Sequence, residues 1–256
     1  MALVLVTNDD GIHAAGLAAL ARALADLADV YVLAPEREQS ACGHSLTLHR
    51  PLSVEPVRER WFSVNGTPSD CVNLGVLGFL PEPPVLIVSG INHGTNLGDD
   101  VTYSGTVSAA MEGILLGVPS IAVSLVSGGD LDEAGRAARL IAARVLVGGL
   151  APKTLLNVNV PAQTPRGIRV TCLGHRVYSG KIVAQVDPRG RTHYWIGGGA
   201  PEWELLEGSD MAAVNEGFVS VTPLHLDLTS RRALAEMRDW PAMLSAQLRR
   251  NGEPRR

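Results

Sequence analysis

The sequence predicts an α/β fold: a doubly wound, mostly parallel, Rossmann-like sheet with a β-rich appendage and a helix towards the carboxyl end. Three observations carry that expectation. Short, wholly apolar runs alternate with segments of helical period, as a sheet covered on both faces requires. Polar clusters stand directly after the first three strong runs. Beyond about Pro161 the apolar runs shorten, and Gly, Pro and Trp punctuate the chain.

Taken in order, Leu3 to Val6 is a first strand, and Leu17, Leu20, Leu24 and Leu27 follow it at helical spacing. Val30 to Leu33, rich in β-branched residues, is the second strand, and Val85 to Val88 is the next strong one. A helix is expected from about Ser104 to Leu116, and Ile121 to Leu125 is a strand after the GVP turn. An Ala-rich helix over Arg136 to Val147 precedes a strand over Leu155 to Val160. Shorter β-like runs, Ile168 to Cys172 and Val219 to Val221, surround an excursion from His175 to Ser209. Arg231 to Arg250 has helical composition that Pro241 should kink or divide, and NGEPRR reads as a frayed tail. The expected organisation is a catalytic core over residues 1–160, then the remaining core strands with a hairpin-like excursion (about 175–209) over 161–230, then a helix and tail over 231–256.

With 256 residues, 46% of them hydrophobic and 19% charged, the chain can bury a large core and reads as an ordinary soluble protein. Lys and Arg total 22 against 26 Asp and Glu. That balance leaves no broad cationic surface for stable duplex nucleic-acid binding or for an anionic membrane. MALVLVTNDD carries no positive leader and turns acidic early, so it reads as a strand and not as an export signal, and no transmembrane helix is apparent. Cys42, Cys71 and Cys172 are odd in number and widely spaced, which fits a reducing compartment and disfavours a zinc ribbon. They read as three buried or unremarkable thiols, Cys42 in its polar loop being the one candidate for a reactive thiol.

Ligands of open α/β sheets bind beyond the carboxyl ends of the strands. The first strand is followed by Asn8, Asp9 and Asp10, the second by EREQSACGHS with Ser40, the third by SGINHGTNLGDD with Asn92 and Asn96. Carboxylates, a hydroxyl and an amide oxygen are hard donors suited to Mg²⁺, Mn²⁺ or Ca²⁺, and a cation is what lets adjacent acids tolerate each other. NDDG alone would be explained by a turn or a helix cap; three such loops together point to a cation site. Ser104 is placed to cap the helix that follows, and Gly105 lets its backbone approach a ligand, so Ser104, Gly105 and Thr106 form a candidate phosphate cradle. His13, His44 and His93 lie in the same loops as candidate proton donors to a leaving group, whereas Asp70 fits a helix start. The strings G-x-G-x-x-G, G-x-x-x-x-G-K-[ST] and G-x-S-x-G are missing at the positions where a dinucleotide fold, a phosphate-binding loop or a serine hydrolase would need them.

NDDG, Ser40 with HSLT (His44 to Thr47), NGTPSDCV (Asn65 to Val72), SGIN-x-G-x-NLG (Ser89 to Gly98), D-V-x-YSGTV-x-AAMEG (Asp100 to Gly113) and DPRG with YWIG (Asp187 to Gly197) together resemble the SurE family of metal-dependent nucleotidases. The resemblance spans nearly the whole chain. It implies one divalent cation per subunit, Mg²⁺ or Mn²⁺ before Ca²⁺, Co²⁺ or Ni²⁺, held by Asp9, Asp10, Ser40 and Asn92. It also implies hydrolysis of nucleoside monophosphates at the 5′ or 3′ phosphate, in the cytoplasm, by a homodimer or homotetramer in which the appendage and the carboxyl-terminal helix reach a partner. Trp195, Trp203 and Trp240 would suit such an interface, and local packing would explain them equally well. Asp9 and Asp10 are then the catalytic candidates, with Asn8, Asn96, Ser104, Gly105 and Thr106 around the phosphate. Two alternatives remain: a nucleotide sensor without turnover, and a covalent aspartyl-phosphate route, for which Asp-x-Asp and not adjacent acids would be expected.

Overall fold

The computed structural model describes residues 1–177, 182–196, 202–204 and 206–251. The chain divides into two compact units, Met1–His225 and Leu226–Arg256.

In the first unit, strands β1 (Leu3–Thr7) and β2 (Asp29–Pro35) flank helix α1 (Ala15–Leu24). They are followed by β3 (Val54–Arg58), β4 (Trp61–Val64), α2 (Pro68–Leu74), β5 (Leu86–His93), α3 (Gly105–Leu115) and β6 (Ser120–Leu125). Next come α4 (Leu131–Gly148), β7 (Thr154–Val160), β8 (Ile168–Val170), β9 (Arg176–Val177), β10 (Ile182–Val186), β11 (Thr192–Ile196), β12 (Glu202–Trp203), α5 (Asp210–Asn215) and β13 (Val219–His225).

Among the described residues the main sheet runs β3-β4-β2-β1-β5-β6-β7-β13-β8. The six strands from β4 to β7 are mutually parallel. Antiparallel β3 closes one edge, and β13, antiparallel to β7, carries β8 at the other. Alternation along β1 explains its apolar LVLV run: Val4 and Val6 pack with Leu17, Leu20 and Leu24 of α1, while Leu3 and Leu5 pack with Val72 of α2 and Ala109 of α3. A strand with both faces covered favours apolar side chains on both. The polar residues therefore gather where β1 ends, at Asn8.

Several boundaries differ from the sequence expectation, each for a local reason. Helix α4 starts at Leu131 because Asp130 caps it, accepting the Asp132 N–H at 2.8 Å. Strand β13 runs past Val221 to His225, its exposed Pro223 paired opposite Leu156 of β7. Strands β3 and β4 and helix α2 are additional to the elements expected: β3 is an edge strand broken by Pro56, and β4 has four residues. Short α2 is set by a capping box in which Thr67 and Asp70 satisfy each other's backbone N–H groups, the helix-start role expected of Asp70.

The appendage is an antiparallel hairpin, β10 with β11, beside the short β9–β12 pair. DPRG is its turn: Asp187 Oδ1 accepts the N–H groups of Arg189 and Arg191, both at 2.9 Å. Gly197 of YWIG, the Trp203 side chain and residues 252–256 of the expected tail lie outside the described residues.

The second unit holds helices α6 (Arg231–Glu236) and α7 (Trp240–Asn251). The division comes before Pro241, which occupies the first turn of α7, where its missing N–H costs nothing. Among the described residues no helix is long and apolar enough to cross a membrane.

Candidate active site

The site forms where β1 and β5 lie side by side while the chain leaves β1 for β2 in one direction and returns through β5 in the other. At such a switch point the loops diverge and leave a crevice at the carboxyl ends of the strands. Hydrogen bonds tie the three loops together there. The Asp9 carbonyl accepts the Gln39 N–H at 2.7 Å, drawing in the loop that carries Ser40. Asp10 Oδ2 accepts the His93 N–H at 3.3 Å, drawing in the end of β5 one residue beyond Asn92. Thr106, in the first turn of α3, donates its hydroxyl to Asp9 Oδ1.

Each donor of the expected cation set keeps an oxygen for a further partner. Asn92 Nδ2 donates to the Gly94 carbonyl at 2.9 Å, which leaves its amide oxygen. The Ser40 hydroxyl donates to Glu38 Oε1 at 2.7 Å, which leaves its lone pairs. Asn8 Nδ2 donates to the Gly11 carbonyl at 3.0 Å, while its buried Oδ1 has no hydrogen-bond partner among the described residues.

Asp9 is 4% exposed and Asp10 half-buried. Burial is the main cause that raises the Asp9 carboxyl above the usual carboxylate range, and the Asp10 charge adds to it against the Thr106 hydrogen bonds. Asp10 is likewise raised by burial and then by Glu38, against the His93 N–H. Among the described residues no ion pair compensates Asp9, Asp10 or Glu38, and Arg37 is turned onto Glu36. Uncompensated adjacent acids beside a spare amide oxygen, hydroxyl lone pairs and an orphaned Asn8 oxygen fit a hard divalent cation. No three His, Cys, Asp or Glu side chains converge tightly enough among the described residues to hold a metal by themselves. A cation held here would therefore also need the neutral oxygens of Ser40 and Asn92.

These shifts have a measurable sign. A carboxyl that titrates higher in the folded chain than in the unfolded one leaves the native state with more bound protons, so it destabilises the fold at neutral pH and the penalty fades as pH falls through the folded value. In the metal-free protein, Asp9→Asn should therefore be at least as stable as wild type at pH 7, with the gap shrinking on acidification. Melting curves of both proteins in chelator across this range check it; a gap that widens towards acid would contradict the assignment.

The phosphate candidates divide into two groups. Ser104 caps α3, its Oγ accepting the Val107 N–H at 3.1 Å, and Gly105 abuts Asp9 and Cys42. Thr106 has its hydroxyl on Asp9. Asn96 sits in a buried amide cluster: its Nδ2 donates to Ser124 Oγ at 2.8 Å, and its carbonyl accepts Asn157 Nδ2 at 2.8 Å and Asn159 Nδ2 at 3.0 Å.

Of the histidines, His13 and His93 are exposed on the rim. His44 Nε2 lies 2.6 Å from Glu112 Oε2, and Asn73 Nδ2 donates to Glu112 Oε1 at 2.7 Å. Buried Glu112 thus ties the HSLT segment to α2 and α3. Thr67 Oγ1 donates to the Ser45 carbonyl at 2.8 Å, and Asp70 Oδ1 accepts the Thr47 N–H at 2.9 Å, so NGTPSDCV and AAMEG both serve to clamp that segment.

Cys42, the one candidate for a reactive thiol, is not activated, in keeping with the reading of unremarkable thiols. Burial, then the Asp9 charge, push Cys42 up to about 11, so at neutral pH it stays a protonated thiol. Cys71 is wholly buried and raised further, whereas Cys172 is exposed.

Glu38, Glu112, Asn73 and the Asn157–Asn159 pair were not among the residues picked from the sequence. A hollow of about 740 Å³ lined in part by Met1, Asp29, Arg58, Arg60 and Trp61 lies at the opposite, amino end of β1 and β2. Its Arg60 is already paired with Asp29 and its Arg58 stacked on Trp61.

Known proteins resemble this chain in sequence and in fold. The model of the family "Survival protein SurE" matches residues 4–180. A protein named 5′-nucleotidase SurE from Geotalea daltonii is 54% identical over 243 residues, covering 93% of this chain and 98% of the relative. Its namesake from Syntrophotalea carbinolica is 52% identical over 242 residues, covering 93% and 97%. The crystal structure of the SurE protein from Aquifex aeolicus superposes with a TM-score of 0.83 at 42% identity, covering 94% of this chain and 99% of that one. On the matched family model, the near-full-length relatives and the shared fold, this chain belongs to the SurE family.

Proposed function

We propose that the chain is a divalent-cation-dependent nucleotidase that hydrolyses nucleoside monophosphates to nucleoside and phosphate, with water as nucleophile. The observation that carries the reading is the meeting of the three loops that bear Asp9 and Asp10, Ser40 and Asn92, with unspent oxygens and, among the described residues, no ion pair on either acid. The nucleotidase names of relatives about half identical over nearly the full length support it.

Phosphate monoesters resist hydrolysis because their anionic oxygens repel the nucleophile. Asp9, Asp10, Ser40 and Asn92 would hold one Mg²⁺ or Mn²⁺, which when bound supplies charge neutralisation and acidifies water. Asp9, buried and pinned by Thr106, is the fixed member of this set. Asp10, half-buried and anchored among the described residues by the His93 N–H, is the carboxylate placed to orient and deprotonate the attacking water. The first amides of α3, which a helix cannot satisfy internally, face the remaining phosphoryl oxygens, and the Ser104 cap sets their direction. Asn8, whose buried Oδ1 has no hydrogen-bond partner among the described residues, and Asn96 complete the proposed phosphate surroundings. The same reading places the protein in the cytoplasm as a homodimer or homotetramer. Exposed Tyr194 and Trp195 on the hairpin, and exposed Leu234, Trp240 and Met243 on the second unit, support the oligomer.

Protein stripped with chelator and assayed for phosphate release from a panel of 5′ and 3′ nucleoside monophosphates should be inactive until Mg²⁺ or Mn²⁺ is restored. Turnover indifferent to chelator would refute the cation, and tight nucleotide binding without turnover would favour a sensor.

A further inference from the structure

We propose that Glu38 is a positioning residue of the cation site, taking the Ser40 hydroxyl proton so that the Ser40 lone pairs face the ion, and adding a negative charge nearby without coordinating it. The proposal rests on the cation-dependent reading above. A hydroxyl that binds a cation through oxygen must send its proton elsewhere, and Glu38 Oε1 receives it at 2.7 Å. Gln39, between the two residues, is clipped to the Asp9 carbonyl through its N–H at 2.7 Å, and its own carbonyl accepts the Cys42 N–H at 3.2 Å. The Glu38–Ser40 pair is therefore held over the acids by backbone contacts on either side. The neighbouring Arg37 bonds to Glu36 through both Nε and Nη2, so it leaves the Glu38 charge unneutralised. Direct ligation by Glu38 is disfavoured because Asp9, Asp10 and Glu38 do not converge as a three-carboxylate group. An outer carboxylate that orients a ligand is worth about 10–100-fold in metal affinity.

Calorimetric titration of Mn²⁺ into the metal-stripped full chain, without substrate, tests this in wild type, Glu38→Ala, Glu38→Gln and Asp9→Asn. Glu38→Ala should weaken Mn²⁺ about 10-fold or more. Glu38→Gln should recover part of the loss, since its amide oxygen still accepts the hydroxyl proton, and its remaining deficit should shrink with added salt. Both side chains are exposed, so the melting temperature of the metal-free variants should match wild type. Wild-type affinity in Glu38→Ala, with affinity lost in Asp9→Asn, would overturn the proposal and leave the cation reading standing. A Glu38→Gln variant no better than Glu38→Ala would overturn the hydrogen-bonding role. Failure of wild type itself to bind Mn²⁺ would contradict the underlying cation reading instead.

Discussion

Asp9→Asn should lower kcat/KM for a nucleoside monophosphate by roughly 10³-fold, the equivalent of about 4 kcal/mol of lost transition-state stabilisation. Asn keeps the volume and an oxygen that can still accept the Thr106 hydroxyl, so the surrounding structure has no reason to move. What it loses is the charge. That charge is poorly solvated, with the side chain 4% exposed and the carboxyl raised by burial and by Asp10. Activity and stability should consequently separate, the first collapsing while the metal-free protein melts no lower than wild type at pH 7. Parallel loss of both would mean that Asp9 is a structural acid. Steady-state kinetics beside thermal melts decides between them.

Gly105→Ala should have the next largest effect, about 100-fold in kcat/KM, with a stability loss of about 1–3 kcal/mol. A methyl at this position would stand 2.8 Å from Asp9 Cβ, 2.9 Å from Asp9 Oδ2 and 3.0 Å from Cys42 Sγ. These distances are too short for a carbon, and the neighbours are pinned: Asp9 by Thr106, and the Cys42 backbone by Gln39. Either the first turn of α3 or the β1 turn must shift, which separates the phosphate amides from the acids. Gly113→Ala, two turns along the same helix, is the control. Its methyl would overlap Ser120 Oγ and approach Ile87 Cδ1 to 2.7 Å, so it should lose comparable stability while sparing kcat in the protein that remains folded. Equal loss of turnover in the two variants would remove the special role of Gly105.

The fold was legible where residues obey one strong rule. The β1 run LVLV, the leucines of α1 and the apolar runs of β5, β6 and β7 are short or periodic because both sheet faces are covered, and the helices and strands fall there. Edge strand β3, with Pro56 and alternating charges, obeys no such rule, because only pairing with β4 makes it a strand. The strand-end logic located the loops that meet, since topology alone brings NDDG, Ser40 and Asn92 to one rim.

Individual partners were less legible because they depend on contacts between segments far apart in sequence. The Thr106 hydroxyl rests on Asp9, and Asn96 is tied to Ser124, Asn157 and Asn159, contacts that no local pattern around either residue announces. One signal was available: LLNVNV places two amides at alternate positions in an otherwise apolar strand, and a buried amide pair must have a partner. Glu112 in AAMEG carried a similar signal, as an acid at a helix position otherwise suited to burial, but nothing in the sequence pointed from it to His44.

Anomalous diffraction from crystals of the full chain equilibrated with Mn²⁺ tests the central claim most directly. The account predicts one strong peak per chain within coordination distance of Asp9, Asp10, Ser40 and Asn92 oxygens, at the start of α3. A peak elsewhere, or those four side chains turned away from the ion, would contradict it.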